Sequence, residues 1–246
     1  MENKEKSGAA VQQAPEVQEA HKAEVKKPEA TKDTHKYGFS LVYYVLVRVY
    51  FVLVKLLYFI RIEGKENIPK DRSVILMGNH QFLFDPVTLA ICDLSRQYHF
   101  MGKKELWNNK FFARLCDMVH GIPVDRGNMD MAAVRTAMNV LKDGYTLGIF
   151  PEGTRSKGDG MMPLLGGAAL MALRSKCAVV PVYIDGSYKL FRPVVVRVGK
   201  PIDMDDLLAG RVTKEACDEL NERVKAAFAG LSGGRSLLPV AKETEE

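Results

Sequence analysis

The sequence predicts an α/β fold: a single domain with a largely parallel central sheet flanked by helices, preceded by an N-terminal membrane-associated helix and a disordered tail. Three observations predict it. After residue 60, short apolar runs alternate with amphipathic stretches, the pattern of strands and helices taking turns. Residues 39–60 are almost wholly apolar or aromatic. Residues 1–36 contain almost no large apolar side chain.

The tail, residues 1–38, is rich in Ala, Glu, Lys and Gln, and its seven lysines meet seven acidic residues. Such a segment buries too little apolar surface to offset the entropy of ordering it. The net charge of +5 therefore belongs to the remainder of the 246 residues. A mildly basic surface of this kind suits anionic lipid headgroups or phosphorylated substrates as well as nucleic acid, and charge alone does not choose. Cys92, Cys116, Cys177 and Cys217 are widely spaced. They read as reduced cytosolic thiols rather than a zinc site or a disulfide framework.

The second segment, residues 39–61, is interrupted only by Arg48 and Lys55 within its apolar run. It is long enough to span a bilayer, yet Arg48 near the middle would cost about 2.5–3.5 kcal/mol. Arg48 and Lys55 fall on one helical stripe with Tyr44, leaving a broad apolar face. The expectation is a helix lying in the membrane interface, with a true span and a buried soluble helix as the alternatives.

Within the domain proper, residues 62–230, apolar runs predict strands at 73–77, 98–101, 146–150, 178–184 and 194–198. Helical patterns fall at 86–94, 104–119, 129–142, 165–175 and 213–228. Residues 231–246 read as a polar tail.

Three loops carry the chemistry. Residues 79–86 follow a strand and hold His80, Asp85 and Pro86. His80 then sits at the carboxyl end of that strand, the edge where open α/β sheets place ligands. Asp85 before Pro86 is a helix-start signal, with Asp as N-cap. Across such a turn the carboxylate is also able to fold back onto the imidazole, fix its tautomer and stabilise the imidazolium. Taken alone, the pair equally fits a cap beside a turn residue.

Residues 150–156 follow the strand at 146–150 and contain Glu152, Gly153, Thr154 and Arg155. Backbone N–H, hydroxyl and guanidinium together suit an oxyanion, and Arg155 offers a bidentate phosphate contact. Glu152 fits either a role in orienting Arg155 or a contact to a substrate hydroxyl. Residues 121–126 end in Asp125 and Arg126, a second candidate phosphate ligand or a surface ion pair. Three such loops on one sheet edge say more together than singly.

In order and spacing, these motifs resemble the phospholipid and glycerol acyltransferase family, specifically the branch that acylates 1-acyl-sn-glycerol 3-phosphate. The matching residues are Asn79, His80, Asp85 and Pro86; Lys104, Glu105 and Leu106; residues 121–126; residues 150–156; and Val180, Pro181 and Val182. The resemblance implies that His80 is the general base, with Asp85 as its partner. Arg126, Glu152, Gly153, Thr154 and Arg155 would hold the phosphate and glycerol, and Pro181 would be structural or touch the acyl chain. It implies lysophosphatidic acid as acceptor and acyl-CoA or acyl-carrier protein as co-substrate. It implies a membrane lipid surface on the cytoplasmic face as the place of work. No metal, bound cofactor or nucleic acid is expected.

Two departures stand out. Phe82 replaces a small hydroxyl residue, and Leu164 and Leu165 stand where many members carry a lysine. Another lysophospholipid, glycerol 3-phosphate or an acylated amino acid is the alternative acceptor. A non-catalytic membrane-binding module is the reading from another class.

Overall fold

The computed structural model describes residues 41–125, 130–156, 163–186 and 188–233. The predicted tail at 1–38, Arg126 and residues 234–246 lie outside them. Helix α1 (Leu41–Tyr58) leads into strands β1 (Arg61–Glu63) and β2 (Val74–Gly78), then helix α2 (Asp85–Ala90) and strand β3 (Tyr98–Lys103). Next come α3 (Lys110–Met118), β4 (Gly121–Val124), α4 (Met131–Lys142), β5 (Thr146–Ile149) and α5 (Gly166–Ser175). Strands β6 (Ala178–Asp185) and β7 (Val195–Val198) and helices α6 (Asp205–Leu208) and α7 (Lys214–Leu231) complete the described order.

The seven strands form one sheet in the order β1-β7-β6-β2-β5-β3-β4. Every neighbouring pair is parallel except β6 and β7. Strand β2 lies near the centre and all five of its residues are buried, the mark of a parallel strand covered on both faces. Its side chains alternate between faces: Ile75 and Met77 join a core with α4, α5 and α7, whereas Val74 and Leu76 join a core with α1 and α2.

The five predicted strands are present, but β1 and β4 were not predicted. With three and four residues, they are too short to display a period of two. The helix expected over 104–119 is two pieces, a 3₁₀ turn (Lys104–Asn108) and α3. Asn109 divides them: its extended backbone stops the first, and its side chain accepts hydrogen bonds from Phe111 N and Phe112 N to cap the second. Leu231, the first residue of the expected tail, instead ends α7 and packs on the core.

Helix α1 touches the domain through a narrow stripe. Tyr43, Val47 and Val54 are buried, while Leu41, Val42, Val45, Val49, Val52, Leu53 and Leu56 face outward. The Arg48 guanidinium folds over the Tyr44 ring, and the Lys55 ammonium lies near the Phe51 ring. By length and composition the helix is apolar enough to cross a membrane. Tyr43 Oη accepts from Tyr98 N at 2.9 Å, fixing the start of α1 to the start of β3. At its other end, the carbonyls of Leu57 and Tyr58 accept from Phe191 N and Val194 N. These bonds satisfy orphan groups at the helix C-terminus.

Candidate active site

The site follows from strand register. Met77 of β2 pairs with Ile149 of β5, so His80 and Glu152, each three residues further on, emerge level at the carboxyl edge. Neighbouring strands run about 4.8 Å apart, which brings the two loops into contact. The backbone of His80 is the point of contact. Its N–H donates to Glu152 Oε1 at 2.9 Å, and its carbonyl accepts from Ser156 N at 2.8 Å and Ser156 Oγ at 3.2 Å. Asn79 braces the other side: its Nδ2 donates to Ile184 O, and its Oδ1 accepts from Ile184 N at 2.7 Å.

The imidazole itself is held twice. Its Nδ1 lies 3.0 Å from Asp85 Oδ2, and its ring stacks on Phe150 with centroids 4.2 Å apart. The same carboxylate oxygen accepts from Gln81 N and Phe82 N, both at 2.7 Å. Two backbone N–H groups already point at this oxygen, so it stands toward the ring as an acceptor. An accepting Oδ2 makes Nδ1 the protonated nitrogen of a neutral ring and leaves Nε2 as the basic one. Nε2 makes no hydrogen bond to a described residue, and the side chain is 14% exposed against 1% for Asp85.

One expectation needs correction here. Asp85 is not the N-cap of α2; it is the first helical residue after Phe84, and the helix has no side-chain cap. Its carboxylate turns back over the preceding loop because that loop offers three donors. The fold-back alternative is the one realised.

The remaining predicted residues divide. Glu152 is buried at 4% exposure and grips the His80 backbone, a position that favours bracing over contact with a substrate hydroxyl. Gly153 takes a φ of 70°, where a Cβ would sit 2.4 Å from the tip of Leu165 at Cδ1, so the turn favours glycine. Thr154 and Arg155 are exposed, and Arg155 makes no ion pair with a described residue. Arg126 is outside the described residues, but Val124 ends β4 at this same edge, opposite Lys103. Pro181 pairs with Met77 inside the sheet, short of the edge.

The other described histidines show that residue type alone does not define the site. His99 is fully buried, and burial pushes its pKa down to about 3. His120, 5.0 Å away between ring centroids, is likewise lowered by burial. Both stay neutral within the core. Sequence reasoning passed over Ser156 and Phe150 as functional, although both stood inside the motif it quoted. The missing signal was register, which brings them to residue 80.

Comparison with known proteins bears on the family of the chain. The family described as Acyltransferase matches residues 59–185. A 1-acyl-sn-glycerol-3-phosphate acyltransferase of Bacillus subtilis is 33% identical over 174 residues, covering 68% of this chain and 86% of that protein. One from Streptococcus pneumoniae is 32% identical, covering 69% of this chain and 64% of that protein. Among solved structures, the 1-acyl-sn-glycerophosphate (LPA) acyltransferase PlsC of Thermotoga maritima superposes with a TM-score of 0.59 at 27% identity. The match covers 78% of this chain and 77% of that one. A non-catalytic module is thereby set aside: the chain belongs to the acyltransferase family, and resembles its 1-acyl-sn-glycerol-3-phosphate acyltransferases.

Proposed function

We propose that the protein transfers a fatty acyl group from a thioester, acyl-CoA or acyl-carrier protein, to the free hydroxyl of 1-acyl-sn-glycerol 3-phosphate, giving phosphatidic acid. The observation that carries this reading is His80, with Nδ1 on a buried carboxylate and Nε2 unbonded at the sheet edge. An aliphatic hydroxyl is a poor nucleophile until its proton leaves, and a positioned histidine contributes about 10²–10⁴-fold. In the reaction, His80 Nε2 takes the proton from the acceptor hydroxyl while that oxygen bonds to the thioester carbonyl carbon. The C–S bond then breaks, and the thiolate recovers the proton from the imidazolium. Asp85 stabilises the transient positive ring. Arg155, with Thr154 and the Gly153 backbone beside it, holds the phosphate, and Arg126, two residues after the last of β4 in the sequence, is the second ligand.

The outward apolar face of α1 supports a membrane station for this chemistry, since so large an exposed apolar surface on a soluble chain marks an interaction site. The acceptor is itself a lipid, and the four free thiols fit the cytoplasmic face. The test is thiol release by the full chain in vesicles, with acyl-CoA or acyl-carrier protein as donor and a panel of acceptors. Release that depends on lysophosphatidate supports the reading. Release only with another lysophospholipid, or none at all, overturns it.

A further inference from the structure

Asp85 has two carboxylate oxygens, and they are treated very differently. Oδ2 is met by the Gln81 and Phe82 N–H groups and the His80 ring, whereas Oδ1 is buried and forms no well-aligned hydrogen bond with a described residue, although the Tyr188 phenol lies close enough to feel it. A buried oxygen of an ionised group in that state is costly, so what surrounds it matters.

Directly beside it on α2, one turn on, Thr88 is fully buried and sits between two phenols. Tyr188, from the loop between β6 and β7, donates to Thr88 Oγ1 at 2.6 Å. Tyr50, from α1, lies 3.1 Å from the same oxygen, and its hydroxyl also reaches Phe84 O at 3.4 Å. Three hydroxyls from three separate elements thus meet at Thr88, one turn along α2 from the carboxylate, and both phenols feel the Asp85 charge. A threonine hydroxyl that accepts from Tyr188 still has its own proton to give to Tyr50, so the chain has a consistent direction.

Tyr188 is itself fixed. Its ring stands edge-on to Phe82, whose N–H holds Oδ2, and edge-on to Tyr58 at the end of α1. Its backbone has a φ of 44°, a left-handed conformation that a tyrosine adopts only under constraint. Its phenol is kept protonated: burial, and then the charge of Asp85, raise its pKa above the ordinary range.

We propose that Tyr188 is a positioning residue for the catalytic pair, its hydroxyl turning from Thr88 Oγ1 to supply the donor that Asp85 Oδ1 lacks as the imidazolium forms. Thr88 and Tyr50 hold it ready. The proposal rests on the reading of His80 as general base. It also makes α1 more than an anchor, because the helix that faces outward with apolar side chains contributes a hydroxyl to this cluster.

Tyr188→Phe removes only the oxygen and keeps the ring contacts. Removing an interaction made in the transition state and absent from the ground state lowers kcat and leaves KM unchanged. Tyr188→Phe is therefore expected to lose about tenfold in kcat, with the KM for lysophosphatidate within about twofold of the parent. Thr88→Val should lose activity in the same way, and Thr88→Ser, which keeps the hydroxyl, should recover it. The readout is thiol release by the full chain in vesicles, with thermal unfolding run in parallel. A parental kcat for Tyr188→Phe overturns the proposal. So does a loss that appears in KM, or one that follows a lowered unfolding temperature, or a Thr88→Ser variant no better than Thr88→Val. His80→Ala separates the two levels: an active His80→Ala sinks the general-base reading itself, whereas an inactive one beside a fully active Tyr188→Phe sinks the positioning role alone.

Discussion

The two halves of the site are built in opposite ways. Around His80, the backbone is pinned from β5 by Glu152 and Ser156, and the ring is pinned by Asp85 and Phe150. Around Arg155, the side chains of Thr154 and Arg155 reach into open solvent. The difference matches what the proposed function asks of each half. A base must stand within hydrogen-bond reach of one proton, so its freedom is removed in advance. A phosphate is met by a long charged side chain whose head stays hydrated until the ligand arrives. Both halves hang from the same strand pair, β2 and β5, so the register of two short strands sets the relation between them.

The sharpest way to break this comparison is at its centre. His80→Ala should reduce acyl transfer by about 10²–10⁴-fold, a loss far larger than the missing Phe150 stack and Asp85 contact would cause through stability alone. Retention of more than a tenth of the activity would refute the general-base role. Glu152→Ala comes next. It strands the buried His80 N–H, and should lower stability by about 1–3 kcal/mol in denaturant titration and depress kcat with it. An unchanged unfolding midpoint would mean that the two loops are not braced through this bond.

On the open side, Arg155→Lys should raise the KM for the acceptor by about tenfold and leave that for the thioester donor unchanged, since lysine lacks the bidentate fork. Equal effects on both substrates would remove Arg155 from the phosphate. The smallest effect is expected for Gly153→Ala. A φ of 70° costs a residue bearing a Cβ about 1–2 kcal/mol, and the Leu165 tip is able to move aside. Unfolding measurements on this variant therefore report how tightly the turn between the braced and open halves is held.

Much of the molecule was legible in the chain. Strands β2, β5 and β6 are continuous apolar runs because both of their faces are covered, and that pattern needs no partner to be seen. The spacing of His80 and Asp85 was legible, as was the glycine-arginine loop at 150–156. Less visible were elements whose existence depends on a neighbour: β1 and β4, too short to show alternation, and α6, a four-residue turn. The role of Asp85 was only half legible, because a cap and a folded-back carboxylate share the same local sequence.

By itself, then, the sequence determined which segments bury both faces, which loops end at the carboxyl edge, and which residue types wait there. It could do so because periodicity and local turn chemistry are properties of near neighbours along the chain. The tertiary structure alone decided that Glu152 and Ser156 grip residue 80, and that Tyr50 and Tyr188 meet at Thr88, one turn along α2 from Asp85. Those contacts join residues from 38 to 100 positions apart. Their geometry is fixed by strand register and by the docking of α1, neither of which a linear pattern of residues records.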